Sequence, residues 1–119
     1  MIKRDFLSLL DFSSDELKYV IERAKTLRKQ HENGEVYQSL IGKTGALILT
    51  MSSTRTRVAF EAGFAQMGAK VIFLSPGDTQ IGRGEPLEDL ARVLSEMVDI
   101  IMVRTASQQD IETVAHYAT

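Results

Sequence analysis

Gly45-Ala46-Leu47-Ile48-Leu49-Thr50 is an apolar run with no polar alternation. A strand buried on both faces of a parallel sheet reads this way, because neither face meets water. Polar residues 52–57 follow, and then a helical pattern from about Thr56 to Met67. Val58, Ala59, Ala62 and Ala65 fall on one side of that helix, and Phe60, Phe64 and Met67 on another. Gly68 supplies the stop. Strand, polar turn and helix make one unit, and the unit recurs along the chain.

Downstream, Lys70-Val71-Ile72-Phe73-Leu74 is a second buried strand by the same criteria, and Ile100 to Val103, after Asp99, is a third. Between them Pro86 suits the first position of a helix, and Leu87, Leu90, Ala91 and Leu94 form its apolar stripe. A last helix from about Ser107 to Tyr117 turns Ile111, Val114 and Ala115 inward. Upstream, Ser13-Ser14-Asp15-Glu16 has the capping-box form, in which Glu16 reaches back to the Ser13 amide. Leu17, Val20, Ile21, Ala24 and Leu27 recur behind it at helical spacing. Lys25, Arg28 and Lys29 suit the helix C-terminus, and Gly34 offers its end.

The order is one helix, then strand and helix three times. That alternation predicts an α/β fold: a three-layer, doubly wound parallel sheet with helices on both faces. The sheet is expected to be cut short, since a fourth strand would come next. At 119 residues the chain reads as one domain, 1–119. Right-handed crossovers bring the strand C-termini to one edge, where such sheets bind ligands. Loops 51–57, 75–85 and 104–107 reach that edge.

Ser53-Thr54-Arg55-Thr56-Arg57 occupies the first of these loops. A helix N-terminus presents unpaired amides and a partial positive charge, and an anion satisfies both. Ser53, Thr54 and Thr56 add hydroxyl donors. Arg55 and Arg57 add charge-assisted donors that fit phosphate oxygens. Two positions apart on a helix, the arginines diverge, so one is expected to face a ligand and the other a protein carboxylate. The plainer alternative is a helix cap with two solvated arginines. Arg104, just past the third strand, comes to the same edge.

Other signals lead nowhere. Gly42-Lys43-Thr44 ends like a phosphate loop but precedes its strand, and Tyr37 stands where the first glycine belongs. Gly82-Arg83-Gly84 is a fragment of a dinucleotide fingerprint in the wrong place. His31 and His116 have no metal-ligand spacing and read as surface histidines. A net charge of −2 gives no general pull toward nucleic acid or membrane, so an anion site has to be local. With no cysteine there is no disulfide, thiolate metal site or cysteine nucleophile. No apolar run has the length of a membrane span, and the N-terminal one is too short for a signal peptide. The expectation is a soluble, cytoplasmic protein.

Ser53-Thr54-Arg55-Thr56-Arg57-Val58-Ala59-Phe60-Glu61 resembles the carbamoyl-phosphate segment of the aspartate and ornithine carbamoyltransferases. Phe6-Leu7-Ser8-Leu9-Leu10-Asp11, Asp78-Thr79-Gln80-Ile81-Gly82 and Ala91-Arg92-Val93-Leu94 are similar to the ornithine branch, in collinear order. The resemblance implies transfer of a carbamoyl group from carbamoyl phosphate to ornithine, giving citrulline and phosphate. It implies that Ser53, Thr54, Arg55 and Thr56 bind the phosphate. Arg104 would contact phosphate and carbamoyl oxygen as the catalytic group, and Arg57 would be structural. It further implies a homotrimer in which Gln80 reaches a neighbouring subunit's site. No metal or organic cofactor, nucleic acid or membrane is expected. Ornithine would be held by a second domain absent from residues 1–119, so this part alone is not expected to catalyse transfer. One departure stands out: Leu49-Thr50-Met51 occupies positions where the family pattern reads Phe-Glu-Lys. The alternatives are another carbamoyltransferase, such as one for aspartate, and a non-catalytic anion-binding or oligomerisation module.

Overall fold

The computed structural model describes residues 3–50, 53–75 and 87–119. Helix α1 spans Ser14–Glu32, β1 Thr44–Leu49, α2 Thr54–Gln66, β2 Lys70–Leu74, α3 Leu87–Ser95, β3 Ile100–Arg104 and α4 Gln108–Tyr117. The three strands form one parallel sheet in the order β2-β1-β3. Gly45 lies opposite Val71 on one side and Ile100 on the other. The chain steps from β1 out to β2, then back past β1 to β3. With right-handed crossovers this reversal puts α2 on one face and α3 on the other.

Side chains of β1 bear this out. Ala46 and Ile48 pack with Leu90 and Leu94 of α3, joined by Leu74, Leu87, Val98, Ile101 and Val103. The opposite face meets α2, where a Cβ on Gly45 would lie 2.7 Å from Phe64 Cζ. Gly45 is thus the hollow into which the Phe64 ring settles. All five residues from Gly45 to Leu49 are buried, as their unbroken apolar run predicts.

The outer strands correct the expectation of three buried ones. Lys70, Ile72, Ile100 and Arg104 are exposed, and the remaining residues of β2 and β3 are half-buried. Among the described residues each has a strand on one side only. Helix α2 begins two residues earlier than its pattern suggests. Ser53 is extended (φ −157°, ψ 91°), and the Arg57 amide donates to its carbonyl at 3.1 Å to close the first turn. Gly68, at φ 90°, turns the chain from α2 into β2 in a conformation open to glycine.

Helix α1 carries the predicted capping box: Ser13 Oγ accepts from the Glu16 amide at 3.1 Å, and the Ser13 amide donates to Glu16 at 2.9 Å. Its apolar stripe is only partly covered. Leu17 and Leu27 are half-buried, whereas Val20 and Ile21 are 53% and 57% exposed. A short 3-10 turn, Leu9–Asp11, with its own Ser8–Asp11 capping box, precedes α1 and was not evident from periodicity. Lys3 then ties the N-terminal segment to the end of α4, donating to the Ala115 and Ala118 carbonyls. The loop residues beyond Ser75, with Pro86, lie outside the described residues. Among the described residues no helix is long and apolar enough to cross a membrane.

Candidate functional site

The C-terminal ends of β1 and β3 meet the first turn of α2 at one sheet edge. Parallel register sets Leu49 opposite Arg104. One step further, the Thr50 amide donates to the Arg104 carbonyl at 3.0 Å, and Thr50 Oγ1 donates to the same oxygen at 3.2 Å. From that anchored backbone the Arg104 side chain crosses to α2, where Nη1 donates to Thr56 Oγ1 at 2.8 Å. Ser53 Oγ donates to the same hydroxyl oxygen at 2.8 Å. With two donors on its oxygen, Thr56 keeps its own hydroxyl proton for a further acceptor.

Helical position explains what these residues offer. Thr54, Arg55 and Thr56 are the first three residues of α2, so their amides have no intrahelical partner. Ser53 makes no side-chain cap on the helix, its hydroxyl being turned to Thr56. The first turn of α2 contains no acidic residue. Open amides, a spare hydroxyl proton, the dipole end of a 13-residue helix and a guanidinium therefore converge, with no carboxylate in the helix's own first turn.

The two arginines of the segment separate as the helical spacing requires. Arg57 is taken up by the protein: Nε donates to Glu61 at 3.2 Å, and the guanidinium lies 3.7 Å from the Phe73 ring centroid. Arg55 is exposed and has no hydrogen-bond or ion-pair partner among the described residues. Ser53, Thr54, Thr56 and Arg104 are thus brought together, with Arg55 on the same turn. Gln80 and the rest of its loop lie outside the described residues. His31 and His116 are exposed, and His116 packs edge-on to Tyr117. Among the described residues, no group of three or more His, Asp or Glu side chains is placed to hold a metal ion.

Sequence reading did not assign Thr50 a place in the site; it registered only as a departure from a pattern. Its position at the strand end was visible, but its bond partner lies 54 residues away. An open groove lined by Gln38, Ile41, Gly68 and Lys70 sits at the opposite sheet edge, beside the strand N-termini, and takes no part in this arrangement.

A parallel α/β sheet that presents a bare helix N-terminus, hydroxyls and an arginine at its strand C-terminal edge defines an anion-binding domain of the phosphate-recognising kind. More particularly, the chain belongs to the aspartate/ornithine carbamoyltransferase family, whose carbamoyl-P binding domain matches residues 4–119. It is 55% identical, over all of its 119 residues, to the ornithine carbamoyltransferase of Psychrobacter arcticus, of which it covers 39%. The solved ornithine carbamoyltransferase of Burkholderia thailandensis is 47% identical and superposes with a TM-score of 0.91, over 98% of this chain and 40% of that one. The catalytic subunit of M. jannaschii aspartate transcarbamoylase is more distant, at 26% identity and a TM-score of 0.87, over 98% of this chain and 39% of that one. The chain therefore spans about two-fifths of the length of the relatives it matches.

Proposed function

We propose that this chain supplies the carbamoyl-phosphate-binding half of an ornithine carbamoyltransferase. The observation that carries the reading is the Arg104–Thr56 hydrogen bond, 2.8 Å long, at the open N-terminus of α2. It puts the strongest donor of one strand end against the helix turn best suited to a phosphate. In the proposed complex the amides and hydroxyls of residues 53–56, with Arg55, surround the phosphate. Arg104 spans phosphate and carbamoyl oxygen.

The chemistry follows from that pose. The δ-amine of ornithine, in its neutral form, attacks the carbamoyl carbon. A C–N bond forms, the carbonyl electrons move onto oxygen, and the proton of the amine passes to an oxygen of the leaving phosphate. The electrons return, the C–O bond to phosphate breaks, and phosphate leaves with the electron pair. Donors already aimed at the carbamoyl oxygen and the leaving phosphate stabilise charge as it develops. Holding the reactants in line lowers the entropic cost. Ornithine is bound by a second domain of the longer enzyme. The active form is a cytoplasmic homotrimer in which Gln80 completes a neighbour's site. Ornithine is favoured over aspartate because the ornithine enzymes cited are 55% and 47% identical, against 26% for the aspartate enzyme.

Carbamoyl phosphate is expected to raise the melting temperature of the protein. Arg55→Ala is expected to weaken binding by about tenfold to a hundredfold, the range of a lost charge-assisted hydrogen bond, and so to remove most of that protection. Equal protection of the variant refutes the assignment of Arg55. An acceptor panel, assayed on the longer enzyme, separates ornithine from aspartate.

A further inference from the structure

Two donors from one residue converge on the Arg104 carbonyl. The Thr50 amide, at 3.0 Å, simply extends the ladder between β1 and β3. The Thr50 hydroxyl, at 3.2 Å, is an addition that backbone pairing does not require. At the far end of Arg104, the guanidinium rests on Thr56, which also accepts from Ser53. Thr50, Arg104, Thr56 and Ser53 thus form one continuous chain of hydrogen bonds. It crosses from the end of β1 to the end of β3 and on to the first turn of α2.

We propose that Thr50 is a positioning residue: its hydroxyl fixes the backbone at the end of β3 and so aims the Arg104 guanidinium at the N-terminus of α2. The inference rests on reading this edge as the carbamoyl phosphate site. Arg104 is exposed and has a long side chain with many rotamers. β3 is an outer strand that ends at Arg104, and its carbonyl is held by Thr50, through the amide and the hydroxyl together. A hydroxyl clasp at the root of the side chain narrows the positions its tip can take. Sites held by such supporting bonds keep their geometry, and a displacement of about 1 Å is enough to weaken them strongly. Threonine suits the role for a second reason. It donates without carrying charge, so it adds no carboxylate beside an anion.

The test is calorimetric titration of the protein with carbamoyl phosphate. Thr50→Val keeps the branched shape and the backbone bond but removes the hydroxyl. It is expected to weaken binding by about three- to tenfold, the range of one net hydrogen bond. Thr50→Ser restores the hydroxyl and is expected to bind within about twofold of the wild type. In an Arg104→Ala background, Thr50→Val is expected to change affinity no further, because its effect passes through Arg104. Wild-type affinity in Thr50→Val overturns the proposal. So does the same loss from Thr50→Val with and without Arg104, which marks a general structural role. Absence of any binding by the wild type refutes the carbamoyl phosphate site itself, and the proposal with it.

Discussion

Arg55 and Arg57 stand two positions apart on one helix turn, and geometry gives them different partners. Arg57 sits between Glu61 and the Phe73 ring, joining α2 to β2. Its ion pair is part exposed and contributes little, so most of its value is the ring contact. Arg57→Ala is expected to lower stability by about 0.5–2 kcal/mol in denaturant unfolding and to leave carbamoyl phosphate affinity nearly unchanged. A loss of affinity as large as that of Arg55→Ala contradicts this division of roles. Much of the candidate site was legible at this scale because its hydroxyls and Arg55 lie within one pentapeptide at a helix start. The Arg104–Thr56 bond was legible only as proximity, through sheet topology. The Thr50 clasp was not, because it depends on the register of two strands whose residues are 54 positions apart.

Secondary-structure elements divide in the same way. β1 was readable as a continuous apolar run because both of its faces are covered. β2 and β3 carry similar runs, yet they stand half open at the sheet margins. An apolar pattern records that a strand seeks cover, not which chain or segment provides it. The fit between Gly45 and Phe64 was equally unreadable, since glycine in a strand signals close approach without naming the partner. Gly45→Ala puts a methyl group against three ring atoms of Phe64, the nearest at 2.7 Å. The expected cost is about 1–3 kcal/mol by urea unfolding, eased when Phe64→Leu is added. A neutral Gly45→Ala would mean that the ring is free to move aside. At the start of α1, Arg4 holds Glu16 in a paired hydrogen bond at 2.6 and 2.8 Å. That bond, with the Ser13 amide, pulls the Glu16 carboxyl down from 4.5 to about 2. The folded value lies below the unfolded one, so the unfolded chain takes up the proton first as pH falls. The stabilisation is whole above about 4.5 and is lost as pH drops toward about 2. Glu16→Gln is expected to flatten the decline of melting temperature across that window. An unchanged decline would show that the pair contributes nothing.

For the molecule as a whole, the sheet edge and the uncovered apolar surfaces belong to one account. Val20 and Ile21 of α1, Val58 and Phe60 of α2 and Ile72 of β2 are all exposed, although each falls in an apolar pattern. The relatives extend well beyond the length matched here. The central claim is narrower and rests on residues 53–56 with Arg104. Its most direct test is the backbone amide NMR spectrum of the protein, recorded as carbamoyl phosphate is added. The account predicts that the amides of Thr54, Arg55 and Thr56 shift most, together with the Arg104 side-chain signal, because they donate to the bound phosphate. Shifts confined to other parts of the molecule, with those resonances unmoved at saturation, would contradict it.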